Sequence, residues 1–138
     1  MSEITSSRED YLEAILALEQ DGSARSVDVA ASLGYSRASV SRAMGILKRE
    51  GFVDQEPYGL IRLTERGRAR AKAVRRRHEL LKYYLLHILE VDDKTAEEDA
   101  CRMEHVISDQ TLQQIEAHSA RHMREFHPEQ EALSGWDA

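Results

Sequence analysis

Three side chains of the kind that bind metals stand close together in the last third of this chain: Cys101, Glu104 and His105. On a helix, positions i, i+3 and i+4 leave one face together, so this spacing would converge a thiolate, a carboxylate and an imidazole. Such a donor set suits a divalent transition metal. The alternative is a small buried cysteine that merely precedes a surface glutamate and histidine, and spacing alone leaves both readings open. The paired cysteines of a tetrahedral zinc site are absent, and no catalytic triad can be assembled around the cluster. Asp10 and Glu13, three apart near the start, project on one face of a predicted helix, where most such pairs are simply solvated. His118 and His122 have the spacing of a zinc pair without an evident third ligand; His87 and His127 have no evident partner.

The elements that would position these residues follow from periodicity and capping. A first helix is predicted over 6–20, with Tyr11, Ile15 and Leu18 on one stripe, a cap at Ser6 or Ser7, and acidic residues in its first turn. Asp21-Gly22 ends it. VDVAASLGYSRASVSRAMGILKR, residues 27–49, then reads as two short helices joined by a tight turn. Gly34 supplies the left-handed residue that closes the first, and Ser36 is a cap for the second. In that second helix Val40, Ala43, Met44 and Leu47 form the inward stripe. Ser36, Arg37, Ser39 and Arg42 stand on the other face at its N-terminal end, where a recognition helix meets base edges and phosphates.

Phe52-Val53 and Leu60–Leu63 read as two short strands around a Gln55–Gly59 turn, forming a hairpin wing whose Arg62 would lie against the phosphate backbone. A long helix capped by Thr64 is predicted to reach about Leu89, with His78 on an apolar stripe beside Val74, Leu81 and Leu85. Thr95 and Glu98 form a capping box for the helix that carries Cys101, and Ser108 caps a last helix with Leu112 and Ile115 inward. Beyond about Arg124 the periodicity fades, leaving Trp136 in a fraying tail. The fold class is mainly α: an N-terminal winged helix-turn-helix with a small β-hairpin wing over residues 1–71, then an α-helical domain over 72–138.

The net charge of −6 conceals a division. Residues 35–77 hold 12 Lys/Arg against 4 Asp/Glu, while residues 83–138 hold 4 against 13. A basic block followed by an acidic one separates a phosphate-binding surface from something else. The single cysteine excludes an internal disulfide framework and fits a reducing cytoplasm. No apolar run approaches a membrane span, and the first residues lack a signal-peptide core. The location expected is therefore cytoplasmic.

With these elements in order, the chain resembles the diphtheria toxin repressor family of metal-dependent regulators, in the short form typified by manganese transport regulators. The likeness covers about residues 7–120 and is carried by SSREDYLEAI, SVSRAMGILKREGFV, RRRHELL and CRMEHVIS. It implies a homodimer that binds a pseudo-palindromic DNA operator when metal-loaded and represses genes of divalent-metal homeostasis; it implies no enzyme activity. It also implies an α-helical metal-binding and dimerisation domain after the winged helix. By the same resemblance, the metal ligands fall on Asp10, Glu13, His78, Cys101, Glu104 and His105, from three separate helices. One site would use Asp10, Cys101, Glu104 and His105, and a second would draw on Glu13 and His78.

Two positions depart from the familiar sets. Asp10 matches the manganese-responsive type, whereas Cys101 matches the iron-responsive type. Carboxylates favour Mn²⁺, while a thiolate shifts preference toward Fe²⁺, Co²⁺ or Zn²⁺. Lys82 stands where relatives often place a carboxylate near His78, which weakens a second metal there. The rival expectation is a winged-helix regulator that senses redox state or an organic ligand through Cys101.

Overall fold

The structure, a computed structural model, describes residues 6–126. It forms two compact units that divide between Arg75 and Arg76, inside one helix. The first unit contains α1 (Ser6–Leu18), β1 (Ala24–Arg25), α2 (Ser26–Leu33), α3 (Arg37–Arg49), β2 (Val53–Glu56), β3 (Leu60–Leu63) and the first turns of α4 (Glu65–Tyr83). Its core gathers one stripe from each helix and the inner face of the sheet, including Leu12, Ile15, Val29, Met44, Leu47, Phe52 and Ile61.

α1 stops two residues before the predicted end. Gln20 and Ser23 pair across a tight turn, with N–H···O distances of 2.8 and 3.1 Å. Between them Asp21 and Gly22 both take positive φ (54° and 83°), the backbone a two-residue hairpin turn requires. The helix-turn-helix forms as its punctuation predicts. Gly34 closes α2 at φ 71°, and the Ser36 hydroxyl accepts a hydrogen bond from the Ser39 N–H at 3.1 Å.

The wing is more than a hairpin. β2 pairs antiparallel with β3 from Val53↔Leu63 to Glu56↔Leu60, and β1 adds to the other edge of β3 through Ala24↔Ile61 and Arg25↔Leu60. β1 carried no sequence signal because two residues are too few to show alternation. Gln55 and Glu56, expected in the turn, belong to the ladder, and Phe52 precedes it, its N–H donating to Leu47 O at 2.9 Å.

α4 starts on this wing. Gly67 N–H donates to the Thr64 hydroxyl at 3.1 Å, which confirms Thr64 as the cap, and Thr64 N–H donates to Phe52 O at 3.1 Å. Gly67 passes so close to Phe52 that a Cβ there would overlap the Phe52 carbonyl oxygen. Farther along, Arg68 grips Glu19, just past the end of α1, with bonds of 2.6 and 2.8 Å, and Arg70 faces the buried Glu9 at 3.5 Å. The Arg68 hydrogen bond holds the Glu19 carboxyl below its ordinary value.

The second unit holds the remainder of α4, a π-helical turn (Tyr84–Ile88), α5 (Asp93–Met103) and α6 (Asp109–Phe126). The long helix does not run as an α-helix to Leu89. It widens after Tyr83, and Leu89 N–H bonds Tyr84 O five residues back at 3.0 Å. The capping box is also corrected: Asp92, not Thr95, caps α5. Its carboxylate offers two acceptors, taking the Thr95 N–H at 2.8 Å and the Thr95 hydroxyl at 3.1 Å. Ser108 caps α6 as predicted, accepting from Thr111 N–H at 3.2 Å. Leu81, Leu85, Ala96 and Ala100 form the buried centre between α4 and α5, while Leu80, Tyr83 and Met123 join α4 to α6. His127 and Trp136 lie outside the described residues, and no described helix is long and apolar enough to cross a membrane.

Two outcomes follow from the packing of α4. Gly67→Ala should destabilise the protein by about 3 kcal/mol in denaturant unfolding, because the clash is with backbone that cannot step aside. Glu19→Gln should cost about 1 kcal/mol at pH 7. Because the folded Glu19 pKa is depressed, its contribution exists above about pH 4.5 and is lost as pH falls through the lowered folded value. The difference between variant and wild type should therefore vanish under strong acid; a gap that persists there would refute the assignment.

Candidate metal centre and nucleic-acid interface

Four of the six sequence-predicted ligands lie together in the second unit. α5 ends at Met103, but Glu104 keeps helical backbone (φ −60°, ψ −24°) and its N–H still donates to Ala100 O at 3.0 Å, so it continues the turn that carries Cys101. Cys101 stands in the last turn. Glu104 and His105 open the turn beyond, which is folded back by Val106 and Ile107 N–H groups donating to Met103 O at 3.1 and 3.0 Å. Arg77 reaches the same turn from α4, donating to Ile107 O at 3.2 Å.

His78 is the hub. Its Nδ1 is 2.9 Å from Glu104 Oε2 and 3.8 Å from Cys101 Sγ, and its Nε2 is 2.9 Å from Glu97 Oε2. Cys101 Sγ is 3.5 Å from the same Glu97 oxygen. One donor atom from each of His78, Glu97 and Cys101 lies within 4.8 Å of the others. Metal bonds of about 2.3 Å to sulfur and about 2.0 Å to nitrogen or oxygen set tetrahedral ligand atoms about 3.3–3.6 Å apart. The thiol edges of this cluster are already near that spacing. Glu104 is 1% exposed, and its other oxygen is 3.3 Å from His105 Nε2.

The cluster is arranged for positive charge. The Glu104 hydrogen bond pushes His78 up to about 9; burial opposes this, and Glu104 and Glu97 add charge in the same direction. Burial acts to raise Glu97, but hydrogen bonds from Lys82 and His78 prevail and hold it below its ordinary value. Lys82 Nζ sits 3.0 Å from Glu97 and 3.7 Å from Asp93. Glu97 is the residue that sequence reasoning missed. Its signal was present, four positions before Cys101 and so on the same face of α5.

Asp10 and Glu13 are carried by α1 of the first unit, both half-buried. The His118/His122 pair is engaged otherwise: His122 Nδ1 is 2.9 Å from the Tyr83 hydroxyl, and His118 meets Tyr84 edge-on.

In the first unit, α3 buries Val40, Met44 and Leu47 and leaves Arg37, Ser41 and Arg42 exposed. Ser36 and Ser39 are bonded to each other, hydroxyl to hydroxyl at 2.9 Å, so both take part in the cap. Arg62 lies on β3, its Nε donating to Glu56 at 2.7 Å. A groove between α3 and the wing is lined by Arg37, Val40, Ser41, Gln55, Glu56, Gly59 and Leu60. Much of the basic block is spent internally: Arg68 on Glu19, Arg70 on Glu9 of α1, Arg66 on Glu50 O, and Arg76 on Glu116. Arg37, Lys48 and Arg49 of α3 are exposed and take no part in these pairs.

A winged helix followed by a helical unit with a His–Glu–Cys cluster defines a metal-responsive DNA-binding regulator. Residues 3–61 match the iron dependent repressor N-terminal DNA binding domain, and residues 64–130 match the iron dependent repressor metal binding and dimerisation domain. The chain belongs to the iron-dependent repressor family and is a metal-responsive transcriptional repressor, not an enzyme. It is 36% identical over 114 residues to the uncharacterized HTH-type transcriptional regulator MJ0568 of Methanocaldococcus jannaschii, covering 81% of this chain and 91% of that one. It is 35% identical to the transcriptional regulator MntR of Escherichia coli O6:H1, covering 83% and 74%, and 33% identical to the diphtheria toxin repressor of Corynebacterium efficiens, covering 83% and 50%. Among solved structures, it is similar to a manganese-dependent transcriptional repressor in complex with manganese (TM-score 0.73, 30% identity), covering 81% of this chain and 52% of that one. It is also similar to IdeR of T. acidophilum (TM-score 0.68, 26% identity), covering 83% and 54%. The chain thus spans about half the length of these solved relatives.

A metal seated on His78 has to displace a proton below pH 9, and a thiolate ligand releases another. Metal affinity measured by competition with a chelator should therefore rise by more than about tenfold per pH unit between pH 6 and 8. In His78→Gln the slope should fall by about one proton; an unchanged slope would remove His78 from the site.

Proposed function

We propose that this chain is a homodimeric, metal-activated repressor of divalent-metal homeostasis genes in the cytoplasm. Each recognition helix α3 enters one of two successive major grooves of a pseudo-palindromic operator, with Arg37 and Arg42 as principal contacts. Ser36 and Ser39 support them from the cap, and Arg62 serves from the flank of the wing on release from Glu56. The observation that carries this reading is the convergence of His78, Glu97, Cys101 and Glu104 in the unit that follows the winged helix.

The ligands proposed are Asp10, Glu13, His78, Cys101, Glu104 and His105, to which the geometry adds Glu97. A bound ion supplies a fixed divalent charge that neutralises the carboxylates. Drawing ligands from α1 and from the second unit, it favours the DNA-competent arrangement through its differential affinity for that state. The thiolate points to Fe²⁺, with Co²⁺ or Zn²⁺ as alternatives, whereas Asp10 and the glutamates accept Mn²⁺, the metal of the solved manganese-dependent relative. Lys82 competes for Glu97 and so weakens binding at the His78 end of the cluster.

Fluorescence anisotropy on DNA from upstream of the protein's own gene tests the reading. Specific binding should appear with Mn²⁺, anaerobic Fe²⁺, Co²⁺ or Zn²⁺ and vanish with chelator; equal binding in chelator would sink it. Cys101→Glu should weaken the response to Fe²⁺ and Co²⁺ about tenfold while sparing Mn²⁺. Identical metal responses in variant and wild type would take Cys101 out of the ligand set.

A further inference from the structure

The wing ends in a residue that the fold itself does not explain. Glu56 and Leu60 are the last paired residues of the hairpin, and Pro57, Tyr58 and Gly59 span the gap. Tyr58 takes φ 67° and ψ 28°, and Gly59 follows at φ 74°. Positive φ costs little for glycine and is tolerated by Asn or Asp, but it strains a bulky L-residue. The other non-glycine residues with positive φ among those described are Asp21 and Glu90, both polar. Tyr58 combines a strained backbone with an aromatic ring that is 98% exposed. Neither strain nor exposed ring is compensated by packing in the described residues, so the compensating contact lies outside the chain.

The position says what that contact is. Gly59 and Leu60, at the root of the tip, line the same groove as Arg37 and Ser41 of α3. The tip therefore continues the face that carries the recognition helix. Arg62, the expected wing contact, turns the other way. It is tied to Glu56 and its guanidinium packs over Gly22, so it does not occupy the tip.

We infer that Tyr58 is the wing's DNA contact and a determinant of operator affinity. Its ring packs against the deoxyribose of duplex DNA flanking the α3 half-site, and its hydroxyl donates a hydrogen bond to a backbone or minor-groove acceptor. Pro57 fixes its own φ just before Tyr58, which limits the main-chain freedom lost when the exposed ring is ordered on DNA. The inference rests on the reading of α3 as a recognition helix and adds a contact that α3 does not supply.

Operator binding by the metal-loaded, full-length protein tests it, with wild type, Tyr58→Ala, Tyr58→Phe, Tyr58→Asn and Arg42→Ala compared by anisotropy and by thermal melting. Tyr58→Ala and Tyr58→Asn should weaken specific binding about tenfold and Tyr58→Phe about threefold. The salt slope and metal affinity should stay unchanged, since no cation is removed. Tyr58→Asn should melt at or above the wild-type temperature, because asparagine relieves the left-handed strain. Binding by Tyr58→Ala within twofold of wild type, while Arg42→Ala loses affinity, would overturn the Tyr58 inference alone. A fall in melting temperature in both Tyr58→Ala and Tyr58→Asn would also overturn it, by making the ring structural. No operator binding by wild type or any variant would overturn the recognition-helix reading with it.

Discussion

A carboxylate almost fully withdrawn from water needs a positive charge beside it, and Glu104 organises the second unit around that need. Its neighbours are both imidazoles, His78 on one oxygen and His105 on the other. Without a metal, a proton on His78 can supply the charge, which is why Glu104 and Glu97 raise its pKa so far. In the proposed metal-bound state the same groups would serve as ligands and the proton would leave. One buried acid would thus set up an exchange between two cations, as the proposed sensing role requires. The turn that holds Glu104 is secured by short-range hydrogen bonds and by Arg77, so the acid is placed before any metal arrives.

Charge is divided along the chain for a different purpose in the first unit. Its sequence is rich in arginine, yet Arg68, Arg70 and Arg66 are engaged by partners within the fold, pinning α4 to Glu19, to Glu9 of α1 and to the end of α3. Those pairs hold the recognition helix in position rather than reaching for DNA. What remains outward is a smaller set, mainly on α3 with Lys72 of α4, and the tip of the wing presents an aromatic ring instead of a guanidinium. A basic block in a sequence is therefore a poor measure of a phosphate-binding surface until its internal partners are subtracted.

Metal preference in this chain is a contest among neighbouring groups. Cys101 is soft, Glu97 and Glu104 are hard, and Lys82 is a permanent cation that shares Glu97 with His78. A tethered ammonium so close to the cluster opposes a second positive ion at that end by simple Coulomb repulsion.

Much of the fold was legible in sequence because its signals are local. Gly34 and Ser36 punctuate the helix-turn-helix, Val40, Met44 and Leu47 repeat at helical spacing, and Thr64 and Ser108 cap the helices expected of them. Where two local signals competed, the stronger acceptor won, as Asp92 did over Thr95. The identities of Cys101, Glu104, His105 and His78 were also legible, since residue type alone marks a ligand. Their grouping was legible only in part. It depends on where α5 ends, on the turn that swings Glu104 beneath His78, and on Glu97 arriving from one turn earlier, each decided by packing between α4 and α5. β1, the π-helical turn after Tyr83 and the diversion of Arg62 to Glu56 belong to the same class. The sequence determined which elements and which donor atoms exist, because capping and periodicity act within a few residues. Only the tertiary structure decided which donors meet, because that depends on distances between elements that no local pattern encodes.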